Sequence, residues 1–294
     1  MSSPLRFERE EKGPAAGVVT VWLEQPGRPV VALDRALFER LDATLDAIGA
    51  TAKGFVLAST AERAWVAGAD LKEIDALSDD QLQDYLELGA RVMGRIAHLH
   101  CPTVAAIHGA TLGGGLELAM HCDALVACLK PGAKAYPIGL PEAALGICPG
   151  WGGTNLLPAR IDPAHAILMT AKGATLDITQ AREASLVDEL VDSPEALMAE
   201  ARELAATLVK AAPEREPRNI HEPEWRDNVR AALAKISGEL PDTKAAKAVK
   251  LAVQTGLDLG WDAAIAAERH LLIHLRRTEE GRAGVKAFLA KGAK

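Results

Sequence analysis

The segment His108–Asp123, HGATLGGGLELAMHCD, runs from the end of an apolar stretch through three consecutive glycines into a helix that carries Glu117 in its first turn. Glycines 113–115 have no Cβ, so a ligand oxygen can approach the main chain there. Free N–H groups and the positive end of the helix dipole favour developing negative charge at such a helix start. The segment therefore offers half of an oxyanion hole. A glycine run also makes an ordinary strand-to-helix turn, and only a second donor separates the two readings.

Ala67–Lys72, AGADLK, is another small-residue turn after a strand region and can expose that second N–H. A third segment, Leu140–Gly153, LPEAALGICPGWGG, holds Glu142 among apolar neighbours. A carboxylate in such surroundings is partly desolvated, which raises its pKa and suits it to moving a proton at carbon. A helix-capping or salt-bridged glutamate is the plainer alternative at that position.

Outward from these segments the pattern alternates. GVVTVWLE from Gly17 predicts a strand that QPGRP, Gln25 to Pro29, then breaks. Asp34 predicts a helix N-cap, with Leu37, Leu41, Leu45 and Ile48 at helical spacing behind it. Gly54 to Ala58 predicts a short buried strand. Ser78-Asp79-Asp80-Gln81 has the capping-box pattern and starts a helix to about His98, with Leu82, Leu86, Met93 and Ile96 on one face. Thr103 to Ile107 and Ala124 to Cys128 predict further strands. Such an order argues for an α/β domain with mostly parallel strands.

Beyond about residue 155 the only stretch that reads as a strand is Leu186 to Val191, while Pro194 to Lys210 and Asp262 to Arg277 read as amphipathic helices. Pro213 to Pro223, PEREPRNIHEP, reads as an exposed linker or excursion. At 294 residues one large core plus an appendage is expected, here residues 1–200 and a helical region, 201–294.

The 33 basic and 40 acidic residues give a net charge of -7, which disfavours nucleic acid as a partner. A local basic patch can still hold the phosphates of a nucleotide-like group. The four cysteines form no CxxC pair or His/Cys metal spacing, so no metal site and reduced thiols are expected. The first residues, MSSPLRFEREEKGPAAG, lack an apolar core, and no run reaches the roughly 18 apolar residues of a span. The expectation is a soluble, cytoplasmic chain with no membrane partner.

Taken together, AWVAGADLKEI, PTVAAIHGATLGGGLELAMHCD and LPEAALGICPGWGGT resemble the crotonase, or enoyl-CoA hydratase/isomerase, family in order and spacing. The first two are also similar to the hydratase part of multifunctional fatty-acid oxidation proteins, although no GxGxxG of a dehydrogenase part follows a strand here. The likeness runs from about Val18 to Asp192 and resumes in the tail.

The resemblance implies a crotonase-like ββα spiral core with a helical C-terminal region that serves oligomerisation and completes the CoA site, in a homotrimer or a dimer of trimers. It assigns the oxyanion N–H groups to Ala69 and Gly114 and the catalytic carboxylates to Glu117 and Glu142. Asp70 braces its turn. The acyl-CoA substrate is expected against Ala67, Gly68, Asp70, Lys72, Gly150 and Trp151, with coenzyme A as part of the thioester and no separate cofactor. Lys72 reaches a CoA phosphate or the adenine-ribose region in this reading, and is simply solvated in the other.

Two acids imply a hydratase: Glu117 draws a proton from the attacking water, which Gly150 helps to hold, and Glu142 delivers one to the α-carbon. A Δ3-Δ2-enoyl-CoA isomerase, working chiefly through Glu142, and a non-catalytic acyl-CoA-binding relative are the alternatives. Trp151 stands where many relatives carry a smaller residue, which narrows or reshapes the acyl pocket. Cys148, His108 and His121 are read as structural.

Overall fold

A computed structural model of the chain describes residues 2–209 and 216–292. The chain opens with strands β1 (Phe7–Arg9) and β2 (Val18–Leu23), helix α1 (Arg35–Ile48), strands β3 (Gly54–Ser59) and β4 (Ala64–Val66), and helices α2 (Leu71–Ala76) and α3 (Asp79–Ala97). Strands β5 (Thr103–Ile107) and β6 (Ala110–Leu112), helix α4 (Gly114–Met120), strands β7 (Ala124–Cys128) and β8 (Pro137–Gly139) and a one-turn 3-10 helix, Glu142–Leu145, come next. Then follow α5 (Gly153–Leu156), α6 (Pro163–Lys172), β9 (Thr175–Asp177), α7 (Ile178–Glu183), β10 (Glu189–Val191) and α8 (Pro194–Thr207). Helices α9 (Pro223–Ile236), α10 (Lys244–Leu259), α11 (Trp261–Leu275) and α12 (Glu279–Gly292) end the described chain.

The larger sheet has the order β1-β2-β3-β5-β7-β10 and is parallel from β2 onward. Strands β2, β3, β5 and β7 are buried on both faces, which is why they read as continuous apolar runs rather than alternating ones, while the edge strands β1 and β10 are exposed or half-buried. Val19, Val21, Phe55 and Leu57 enter the main core, while Val18, Val56, Val104 and Val126 meet Leu197, Ala201 and Ala205 of α8 on the other side.

A smaller sheet has the order β4-β6-β8-β9, with β4, β6 and β8 mutually parallel. The chain thus winds as a spiral: β3 then β4, β5 then β6, and β7 then β8 each place one strand in the large sheet and the next in the small one. The fold is the α/β crotonase-like ββα spiral with C-terminal helices. Because β4, β6 and β8 lie side by side in the same direction, the segments that leave their C-terminal ends converge on one place. Those segments are the three singled out in the sequence.

Two expectations are corrected. Leu186–Val191 is not the sole strand after residue 155: β9 pairs antiparallel with β8, and only Glu189–Val191 of the expected stretch is strand. Residues 213–215 of the expected linker lie outside the described residues. Beyond them the segment is not an exposed linker, since Asn219 and Ile220 are buried and the Ile220 N–H donates to the Asn155 carbonyl at 3.2 Å. Ile220 belongs to an apolar cluster with Ile167, Val229, Leu233 and Val253, so the segment supplies cover for α6, α9 and α10. No helix among the described residues is long and apolar enough to cross a membrane.

Candidate active site

Each of the three converging segments owes its position to a glycine or a cap. After β4, Gly68 adopts φ +109°, and Asp70 caps α2 by accepting from the Lys72 and Glu73 N–H groups at 3.0 and 3.3 Å. Arg28 clamps the other side of that carboxylate at 2.9 Å. After β6, Gly113 turns with φ +54° into α4, and a methyl group there would lie 2.8 Å from Glu142 Oε1. A methyl on Gly114 would meet the Trp151 ring at 2.5 Å, and one on Gly115 the Val66 carbonyl at 2.4 Å. The three glycines are there because three neighbours leave no space for a Cβ.

The Ala69 and Gly114 N–H groups donate to no protein acceptor among the described residues. The two turns are neighbours, since a methyl on Gly68 would be 3.9 Å from the Gly114 nitrogen. They open onto a cleft of about 480 Å³ that Glu117, Glu142, Trp151 and, towards solvent, Lys72 also line.

Glu117 is buried in the first turn of α4. Its Oε1 accepts from the Trp151 and Gly153 N–H groups, both at 2.8 Å. Burial, then the charges of Glu268 and Glu142, push its carboxyl well above the usual range, against the pull of those two N–H donors. Glu142 begins the 3-10 turn, and its buried Oε2 has no hydrogen-bond partner among the described residues. Burial above all pushes it up to about 8, with the Glu268 charge adding to the rise.

Trp151 is wedged between α3 and α4. Its indole N–H donates to the Leu86 carbonyl at 3.0 Å, and its ring makes edge contacts with Phe38 and Tyr85 at 5.4 and 5.6 Å between centroids. Cys148 is buried, and burial first and the nearby carboxylates second push its thiol well above the usual value, which leaves it an inert thiol. His121 is held neutral by burial, pushed down to about 4, with Nδ1 2.8 Å from the Glu117 carbonyl. His108 Nε2 pairs with the Ala61 carbonyl at 2.5 Å.

The Ala69 and Gly114 amides thus share one cleft with the Glu117 and Glu142 carboxylates. Residues 13–217 match the family described as enoyl-CoA hydratase/isomerase. The chain belongs to that family. A “Probable enoyl-CoA hydratase” of Rhizobium meliloti (strain 1021) is 32% identical over 263 residues, covering 88% of this chain and 87% of that one. A “Probable enoyl-CoA hydratase echA8” of Mycobacterium bovis (strain ATCC BAA-935 / AF2122/97) is 31% identical over 242 residues, 82% of this chain and 79% of the other. Among solved structures, an enoyl-CoA hydratase from Bacillus anthracis aligns with a TM-score of 0.59 at 27% identity, covering 94% and 93% of the two chains.

In this member of the enoyl-CoA hydratase/isomerase family all the site residues named from the sequence line the one cleft. Two residues at the site went unmarked in the sequence. Arg28 lines the cleft from the QPGRP turn, where no motif flags it. Glu268 is fully buried in α11, on the stripe of Ala264, Ile265, Leu272 and Leu275. An acid on the apolar stripe of a helix is the signal that marks it, because a charge is rarely buried there without a partner.

Proposed function

We propose that the protein hydrates the double bond of a 2-enoyl-CoA. The carrying observation is the buried Glu117 and the half-buried Glu142 on one cleft with two amides that donate to no protein acceptor among the described residues, Ala69 and Gly114. The thioester oxygen accepts from both amides, which stabilises the enolate that forms as the β-carbon is attacked. Glu117, oriented through Oε1 by the Trp151 and Gly153 amides, takes a proton from the attacking water. The coupled pair holds one proton between its two raised carboxyls, and Glu142 passes it to the α-carbon. Coenzyme A enters as part of the substrate, with Lys72 and Arg28 at the cleft as the cations that meet its phosphates. The trimer or dimer of trimers is carried forward within this proposal, and light scattering reads it.

Loss of absorbance of crotonyl-CoA and of a longer 2-enoyl-CoA tests the reading. Glu117→Gln and Glu142→Gln are each expected to lower kcat by roughly 100- to 10,000-fold, the usual weight of a general acid or base. Full activity in either variant rejects the two-acid mechanism. One observation favours a second reading: of the two glutamates only Glu142 has, among the described residues, a buried oxygen without a hydrogen-bond partner, free for a base that shuttles a proton between α- and γ-carbons. Conversion of a 3-enoyl-CoA that survives in Glu117→Gln, with no hydration by the unaltered protein, establishes the isomerase instead.

A further inference from the structure

The loop that orients Glu117 is held by a second carboxylate from the far end of the chain. Four consecutive amides alternate between two acids. Trp151 and Gly153 donate to Glu117, and Gly152 and Thr154 donate to Glu268 at 2.5 and 2.9 Å. The Thr154 hydroxyl donates to Glu268 as well and accepts from the Asn155 side-chain amide at 2.9 Å. Every group facing the Glu268 oxygens is therefore a donor, which an ionised carboxylate satisfies and a neutral acid does not.

Glu268 is fully buried; burial raises its own carboxyl above the usual range, the Thr154 and Gly152 donors pull it back, and its charge reaches across the loop to Glu117 and Glu142, where it opposes their ionisation. The titratable and charged groups around it are Glu117 from α4, Glu142 from the 3-10 turn, Cys148 from the intervening loop and Arg269 beside it on α11. The buried faces of α3 and α10, which also pack on α11, present Tyr85 as their one titratable group among the described residues. Burying a charge is costly, and the three donors from Gly152 and Thr154, which a hydrophobic residue would leave unpaired, offset that cost.

We infer that Glu268 is a positioning residue for the proposed hydration: a carboxylate that fixes the amides orienting Glu117 and, through its charge, keeps one proton on the Glu117 and Glu142 pair. Two like charges and a third beside them cannot all ionise in a dry site, so the fixed charge leaves the pair holding the proton that Glu142 delivers. The inference rests on the hydratase reading of the same cleft.

The experiment is the pH profile of kcat/KM on crotonyl-CoA for the unaltered protein, Glu268→Gln and Glu268→Asp. Removing the charge with shape retained moves both limbs to lower pH by about one unit, so turnover at about pH 8.5 falls roughly tenfold beyond any loss at about pH 6. Glu268→Asp keeps the charge, so its limbs stay in place even if the plateau drops. Equal plateau losses with unmoved limbs in both variants would overturn the inference and leave Glu268 a loop buttress. If Glu268→Gln does not fold, Thr154→Val removes one donor, which favours the neutral form of Glu268 and so is expected to move the limbs the same way by less, and unmoved limbs there overturn it too. Failure of the hydratase reading shows separately, as unaltered protein that leaves crotonyl-CoA unchanged, and the same profile is then read on 3-enoyl-CoA conversion or acyl-CoA binding.

Discussion

At Glu142 the fold holds a carboxyl at about 8 that in an unfolded chain titrates near 4.5, so the folded state binds this proton more tightly. Stability from that difference is fully present below about 4.5 and is lost as pH rises through about 8. Glu142→Gln cannot ionise, so its Tm relative to the unaltered protein is expected to rise steadily between about pH 5 and about pH 9. A constant Tm difference across that range would contradict the burial argument. Trp151 lines the cleft, its ring packed into the space that Gly89 and Gly114 leave by lacking a Cβ. Trp151→Ala is expected to broaden the range of chain lengths hydrated, at about 3–5 kcal/mol of stability for the void left in the aromatic cluster. An unchanged ratio of rates on short and long enoyl-CoAs would sink that role.

Elements with a local start signal were legible in the sequence. Asp34 caps α1 by accepting from the Leu37 N–H, and Ser78 and Gln81 form the reciprocal capping box of α3 at 3.2 and 2.9 Å. Ser78→Ala is expected to cost about 1 kcal/mol in urea unfolding, with the pH profile of turnover unchanged, because α3 meets the cleft through Leu86 and Trp151, neither of which titrates. Strands β2, β3, β5 and β7 were legible because burial on both faces leaves long β-branched and apolar runs. The strands of the small sheet were not. Three residues such as Ala64–Val66 or Pro137–Gly139 carry too little pattern to show a period of two, and their partners lie a full turn of the spiral away.

Across the whole molecule the C-terminal helices close the site that the spiral builds. α11 supplies Glu268 against the Trp151 loop, and α12 places Phe288 and Leu289 on the cleft wall. Arg276 ties this region back across the chain, donating to the Ile74 carbonyl at 2.6 Å and to Asp79 at 2.7 Å. Arg276→Ala is expected to lower unfolding stability by roughly 2 kcal/mol, the weight of a lost charge-assisted bond, and a shift below a few tenths would show that the tie is slack. The sequence by itself determined the α/β class, the caps of α1 and α3, the glycine run and the two acids, because each is encoded in neighbouring residues. Only the tertiary structure decided that Ala69, Gly114, Glu117 and Glu142 share a cleft, since that follows from parallel pairing of β4, β6 and β8. It alone also set Glu268 against the active loop. Burial and the field of distant carboxylates fix the protonation of a site, and those are properties of the packed chain rather than of any segment of it.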